Sequence, residues 1–134
     1  MDSHRVYTTP LPKKLGIAAG MHIALIAAPS GFKESLGDLP TDVTFTGRFN
    51  ASTKLGLCFV RSRDDLAGIL DILTQQLPKQ ASVWIIHPKR TGKHNVDFNQ
   101  NDVRDETLKI NLVDYKVCSV DDNWSALKFA HRKS

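Results

Sequence analysis

The stretch LGLCFVRSRDDLAGILDILTQQLPKQASVWIIH, residues 55–87, decides the fold. It opens on Leu55-Gly56-Leu57-Cys58-Phe59-Val60, a run with no polar position, and a strand that is apolar on both faces is one buried on both faces. Arg61-Ser62-Arg63 closes it. From Asp64 to Leu77 the residues Leu66, Ile69, Leu70, Leu73 and Leu77 recur at helical spacing, which gives a helix with one stripe turned to a sheet. Ser62, with Asp65 three residues on, resembles a capping box built on a shorter acid than the usual Glu, and Pro78 ends the helix. Ser82-Val83-Trp84-Ile85-Ile86-His87 is again two-sided and stops at Pro88. Strand, helix and strand joined by short connections make a βαβ unit, with parallel strands and a right-handed crossover.

Working outward, Met21 to Ala28 is a further two-sided strand, ended by Pro29-Ser30-Gly31. Val43-Thr44-Phe45-Thr46-Gly47 alternates as a half-exposed edge strand does. Residues 1–20 mix Thr, Pro and Lys ahead of Gly16 and Gly20, and predict an N-terminal arm with at most one helical turn around Lys13-Lys14-Leu15. Residues 89–101 form a long polar loop, after which Asn101 or Asp102 caps a helix running to about Leu112. Asp114 to Val120 and Trp124 to Ala130 alternate about the turn Asp121-Asp122-Asn123, which predicts a hairpin. The expected architecture is therefore a three-layer, Rossmann-like α/β domain over residues 21–134, with a mostly parallel sheet and a C-terminal antiparallel hairpin.

Composition agrees with one globular domain: 134 residues, 41% hydrophobic and 24% charged. The longest apolar run, Ile23 to Pro29, is far too short to span a bilayer. Met1-Asp2-Ser3-His4-Arg5 begins no apolar secretory segment, so a cytoplasmic location is expected. Cys58 and Cys118 lie in apolar runs without Cys-x-x-Cys or Cys/His spacing, which predicts buried free thiols and no metal site. The edge strands could pair two copies, but nothing in the sequence selects an oligomeric state.

In open α/β sheets ligands bind beyond the carboxyl ends of the parallel strands, where strand order reverses. The segments there are Ser30-Gly31 after the first strand, Arg61 and Arg63 after the third, and Lys89, Arg90 and Lys93 after the fourth. Five cations beside a helix N-terminus suit a phosphate or a carboxylate, although polar loops carry such residues by default. His87 is either a proton-transfer group or a strand-end histidine satisfied by backbone. Asp121 is either an acid beside Trp124 or ordinary turn chemistry. Ser30 lacks the elbow of a hydrolase nucleophile, and Gly92-Lys93 lacks the remainder of a phosphate-binding loop. The primary expectation is a non-enzymatic module that binds a small anionic ligand or a protein partner at this edge. A divergent methyltransferase-like enzyme is the first alternative. A nucleic-acid-binding accessory, using the basic tail from Lys128 and the 89–94 loop, is the second, and its aromatic platforms are few.

Leu-Gly-Ile-x-x-Gly-Met at 15–21, Ala-Pro-Ser-Gly-Phe at 28–32, Pro88-Lys89 and Lys-Val-Cys-Ser-Val-Asp-Asp-Asn-Trp-Ser-Ala-Leu-Lys-Phe at 116–129 resemble a family of small bacterial proteins, domain of unknown function 3052. That resemblance implies a fold and no activity. More remotely the layout resembles a shortened class I methyltransferase core, with Met21 to Ile26 in the first-strand place, Lys79 to Ile86 in the fifth and the hairpin as the closing pair. Where that superfamily carries Gly-x-Gly-x-Gly, this chain has Ala28-Pro29-Ser30-Gly31. Gly47-Arg48 stands where a carboxylate would hold a ribose. On those departures no cofactor is expected, and S-adenosylmethionine is disfavoured.

Overall fold

The computed structural model describes residues 9–89 and 97–132. Its six-stranded sheet is assembled from β1 (His22–Ile26), β2 (Thr44–Thr46), β3 (Thr53–Phe59), β4 (Ser82–Pro88), β5 (Leu112–Ser119) and β6 (Trp124–His131) in the order β2-β1-β3-β4-β6-β5. The first four pair in parallel, whereas β6 runs antiparallel between β4 and β5. This is the α/β sheet with a C-terminal antiparallel pair that the sequence predicts. The consecutive apolar runs fall on the interior strands, β3 and β4 being buried almost throughout; two of the alternating segments form the edges β2 and β5, while the third, Trp124–Ala130, forms the interior strand β6.

Helices cover both faces. On one side α3 (Arg63–Gln76) lays Leu66, Ile69, Leu70 and Leu73, and α4 (Gln100–Leu108) lays Val103, over Cys58, Val83, Ile85, Leu127 and Phe129. On the other side Leu15 and Ile17, at and just after α1 (Leu11–Leu15), pack with Phe32 of α2 (Phe32–Ser35) on Ile23, Leu57, Phe59, Trp84 and Ile86. Trp84 is fully buried, and its indole Nε1 donates to the Leu15 carbonyl at 2.8 Å. That bond satisfies the one polar atom of the largest core side chain and fixes α1 against the sheet.

Several local boundaries differ from expectation. The second-layer helix starts one residue before Asp64, with Ser62 Oγ accepting from the Asp65 amide at 3.1 Å. The Asp65 carboxylate, however, accepts from the Arg61 amide at 2.9 Å, one residue earlier than a reciprocal box requires. The cap of α4 is Asn99 rather than Asn101 or Asp102, because Asn99 and Asp102 form a complete capping box. That helix ends at Leu108, and Leu112 already opens β5 as a buried strand residue. The single turn of α2 has no counterpart in the sequence reading, since four residues show no period. Cys58 and Cys118 are buried free thiols, and burial pushes both above the ordinary thiol range. No helix among the described residues is long and apolar enough to cross a membrane.

Candidate ligand-binding site

Strand order reverses at β1: β2 lies to one side of it and β3 to the other. The carboxyl ends of β1 and β3 therefore flank the switch point, the usual ligand crevice of an open α/β sheet. A cavity of about 260 Å3 opens there, lined by Ala27 after β1, Phe59 at the end of β3, and Asp64, Gly68 and Ile72 of α3. An adjoining cavity of about 380 Å3 is lined by Ile26, Gly47, Arg48, Ile72 and Gln76. Ile72 belongs to both, so the two form one groove running from the end of β3 past β1 to the end of β2.

The chain leaves β1 by an unusual turn. Ala27 has φ 60° and Gly31 has φ 83°, both in the left-handed region. An alanine held there is strained, and such outliers concentrate where backbone meets a ligand. Gly31 then starts α2, with the Ser35 amide bonding back to its carbonyl at 3.0 Å. The groove is apolar on its floor, at Ile26 and Ile72, and carries opposite charges at its ends. Asp64 supplies a carboxylate and Arg48 a guanidinium, and neither has an ion-pair partner among the described residues.

The expected site residues are placed as follows. Ser30 is exposed beside Gly31, on the loop that borders this groove. Arg61 lies over the Trp124 ring at 5.3 Å from its centroid. Arg63 is held by its amide to Asp97 Oδ1 at 2.9 Å, by Nε to the Asp97 carbonyl at 2.6 Å, and by Nη2 to Asp102 Oδ2 at 3.1 Å. Lys89 donates to Ser119 Oγ at 2.6 Å. These three cations thus already have partners inside the fold, while Arg90 and Lys93 lie outside the described residues. Asp121 Oδ1 accepts from the amides of Asn123 at 2.8 Å and Trp124 at 2.9 Å, which is the hydrogen bonding of an Asx turn.

His87 is the buried exception. It is 6% exposed, and its Nδ1 lies 3.1 Å from the Pro88 carbonyl oxygen. A carbonyl only accepts, so Nδ1 carries the proton and Nε2 presents a lone pair. That Nε2 is buried without a partner among the described residues. Burial lowers the ring's pKa below the ordinary histidine value, the bond to Pro88 opposes this, and Arg104 adds to it. The imidazole is therefore neutral at pH 7.

Sequence reasoning missed Arg48, Asp64 and Ile72. Gly47-Arg48 stood out there only as the absence of a carboxylate, and Asp64 and Ile72 only as members of a helix. The positions relative to the switch point become visible once the strand order is known.

No protein-family model matches the chain, and no curated protein does. Among solved structures, a protein from Sulfolobus solfataricus assigned to the type 11 methyltransferases aligns over 98% of this chain and 93% of its own, with TM-score 0.56 and 12% identity. LepI in complex with SAM aligns over 95% of this chain but 48% of its own, with TM-score 0.47 and 13% identity. The chain thus spans about half the length of LepI. At these identities the likeness is one of fold, a Rossmann-like α/β sheet.

The expectation against S-adenosylmethionine is corrected by the Sulfolobus solfataricus structure, a methyltransferase that aligns over nearly the whole of both chains. The physical reason is local: Ala27 and Gly31 supply the left-handed backbone with which the chain leaves β1 and turns into α2, so the missing Gly-x-Gly-x-Gly is no objection. The groove's donors also fit the molecule. An apolar floor suits an adenine ring, the Arg48 guanidinium at one end suits the carboxylate of a methionine moiety, and the Asp64 carboxylate at the other end can accept from the adenine amino group.

Proposed function

We propose that this chain is a methyltransferase-like domain that binds S-adenosylmethionine in the groove over β1, β2 and β3. The observation that carries this reading is the near-complete two-way alignment with the Sulfolobus solfataricus protein, 98% of this chain on 93% of that one, combined with a groove at the switch point. When bound, S-adenosylmethionine supplies a methyl group activated by a sulfonium. The chain's own part is to hold it: Ile26 and Ile72 exclude water from the adenine, Arg48 pairs with the carboxylate of the methionine end, and Asp64, at the opposite end, accepts from the adenine amino group. The loop from Ala27 to Gly31 closes over the edge of β1.

A second reading, binding of a small anionic ligand by the strand-end cations, keeps Ser30 and Gly31 beside the same groove. Against it stand the internal partners of Arg61, Arg63 and Lys89. The methyltransferase reading uses Arg48, which has no ion-pair partner among the described residues, and needs none of those three.

Backbone nuclear magnetic resonance tests the location. Titration with S-adenosylmethionine is expected to shift the amides of Ala27, Gly47, Arg48, Gly68 and Ile72 and to leave that of Tyr115, on the far edge strand, in place. Millimolar ligand that moves none of the first group contradicts the proposal.

A further inference from the structure

A third cavity, of about 260 Å3, lies at the carboxyl end of β4. Its walls are His87, Pro88 and Lys89 from β4 and its exit, Ser125 from β6, and Phe98 and Gln100 around the start of α4. It shares no lining residue with the groove over β1, β2 and β3. A single water takes up roughly 30 Å3 of liquid, so this space is made for something larger.

Several polar groups around the cavity are already engaged. Lys89 Nζ donates to Ser119 Oγ, Ser125 Oγ donates to the Cys118 carbonyl at 3.4 Å, and the Asn99 side chain next to Phe98 accepts from the Asp102 amide at 3.0 Å. Phe98, 6% exposed, meets the His87 ring edge to face at 6.2 Å between centroids, and with Pro88 gives the cavity an apolar wall. Among the described residues the Nε2 lone pair of His87 is a buried acceptor left without a donor. Leaving such a group unmet is costly, and native structures rarely do so.

The chemistry of the missing partner follows. A carboxylate or phosphate oxygen would face lone pair with lone pair. A hydroxyl or an N–H supplies the absent hydrogen, and the phenyl ring of Phe98 and the ring of Pro88 call for an apolar body attached to it. We propose that this cavity binds a small protic organic molecule, a hydroxyl or N–H on a compact apolar frame, which donates its hydrogen to Nε2 of His87. The site stands apart from S-adenosylmethionine binding, and either can fail without the other.

Phenol and toluene are the probes, since they share shape and differ in the hydroxyl. With the full chain labelled with 15N at histidine and held at pH 7, phenol is expected to bind saturably, raise the melting temperature and move the His87 Nε2 resonance in the direction of a hydrogen-bonded acceptor. Toluene should bind about tenfold more weakly or worse and leave that resonance in place, because a site built around a hydrogen bond rejects the analogue lacking it. His87→Phe should abolish the preference for phenol, and His87→Gln, which keeps an acceptor, should retain part of it. Equal binding of the two probes, or a phenol preference that survives His87→Phe, overturns the proposal. So does the absence of any effect of phenol at millimolar concentration, the result expected if a trapped water already satisfies Nε2. If His87→Phe does not fold, the wild-type Nε2 resonance under phenol and under toluene decides alone.

Discussion

Arg63 Nη2 lies 3.1 Å from Asp102 Oδ2, and through this contact the first turn of α3 is tied to the first turn of α4. The same carboxylate oxygen accepts the Asn99 amide at 2.9 Å within its capping box, so one aspartate closes a helix start and receives a cation from the neighbouring helix. Arg63 spans the two segments because its guanidinium also reaches the Asp97 carbonyl, a forked geometry that a lysine cannot copy. Arg63→Ala is expected to lower stability by about 1 kcal/mol, the pair being partly exposed and screened by water. Arg63→Lys should recover less than half of that loss. Urea unfolding of the two variants checks both statements.

Removing the cap beside the clamp has a local signature. Asn99→Ala deletes a cap whose loss costs about 1 kcal/mol. Hydrogen exchange should accelerate first at Asp102 and Val103, whose amides bond to the Asn99 side chain and carbonyl, while β3 and β4 stay protected.

Gly56 sits beneath the Phe49 ring in the interior strand β3. A Cβ built on it would stand 2.6 Å from Phe49 Cζ, 2.8 Å from Cε1 and 3.0 Å from Val83 Cγ2. Gly56→Ala is therefore expected to destabilise by about 1–3 kcal/mol through overpacking. Phe49→Leu in the same chain should return part of it, so the double variant is more stable than the sum of the single losses predicts. Thermal melts of the three variants measure this coupling.

His87 gives a pH dependence of definite sign. Its folded pKa lies below the ordinary value of 6.5, because burial penalises the charged ring. Above 6.5 the ring is neutral folded and unfolded alike and contributes no slope. As pH falls below 6.5 the unfolded chain takes up the proton first, so stability is lost toward the lower folded pKa. Urea midpoints measured from about pH 7 down to about pH 5 should fall in the wild type, and more shallowly in His87→Gln.

Much of the fold was legible because burial leaves a pattern in the chain. Leu55 to Val60 and Ser82 to His87 read as interior strands and are interior; Thr44 to Thr46 and the segment around Lys116 alternate and lie at the edges. Trp124, Ala126, Leu127 and Phe129 read as a hairpin strand, but their division between the two helical layers follows from the insertion of β6 between β4 and β5, a long-range pairing that no local pattern encodes. The cap of α4 is legible in the capping-box spacing of Asn99 and Asp102, but Asn101 and Asp102 beside it are equally good capping residues by type. The groove was not readable. Its charged ends, Arg48 and Asp64, are 16 positions apart in the chain and converge only through the parallel arrangement of β2, β1 and β3 with α3 packed beside them. That Nε2 of His87 has no donor among the described residues is likewise a property of packing.

Ile72 links the two halves of the groove, so burying a charge there should close the site without touching the strands. Isothermal calorimetry of the wild-type chain with S-adenosylmethionine, and of Ile72→Glu beside it, is the most direct test. Saturable one-to-one heat in the wild type, weakened about tenfold or more in Ile72→Glu, is the predicted result. No heat from the folded wild-type chain at millimolar S-adenosylmethionine, or equal affinity in the two chains, would contradict the central claim.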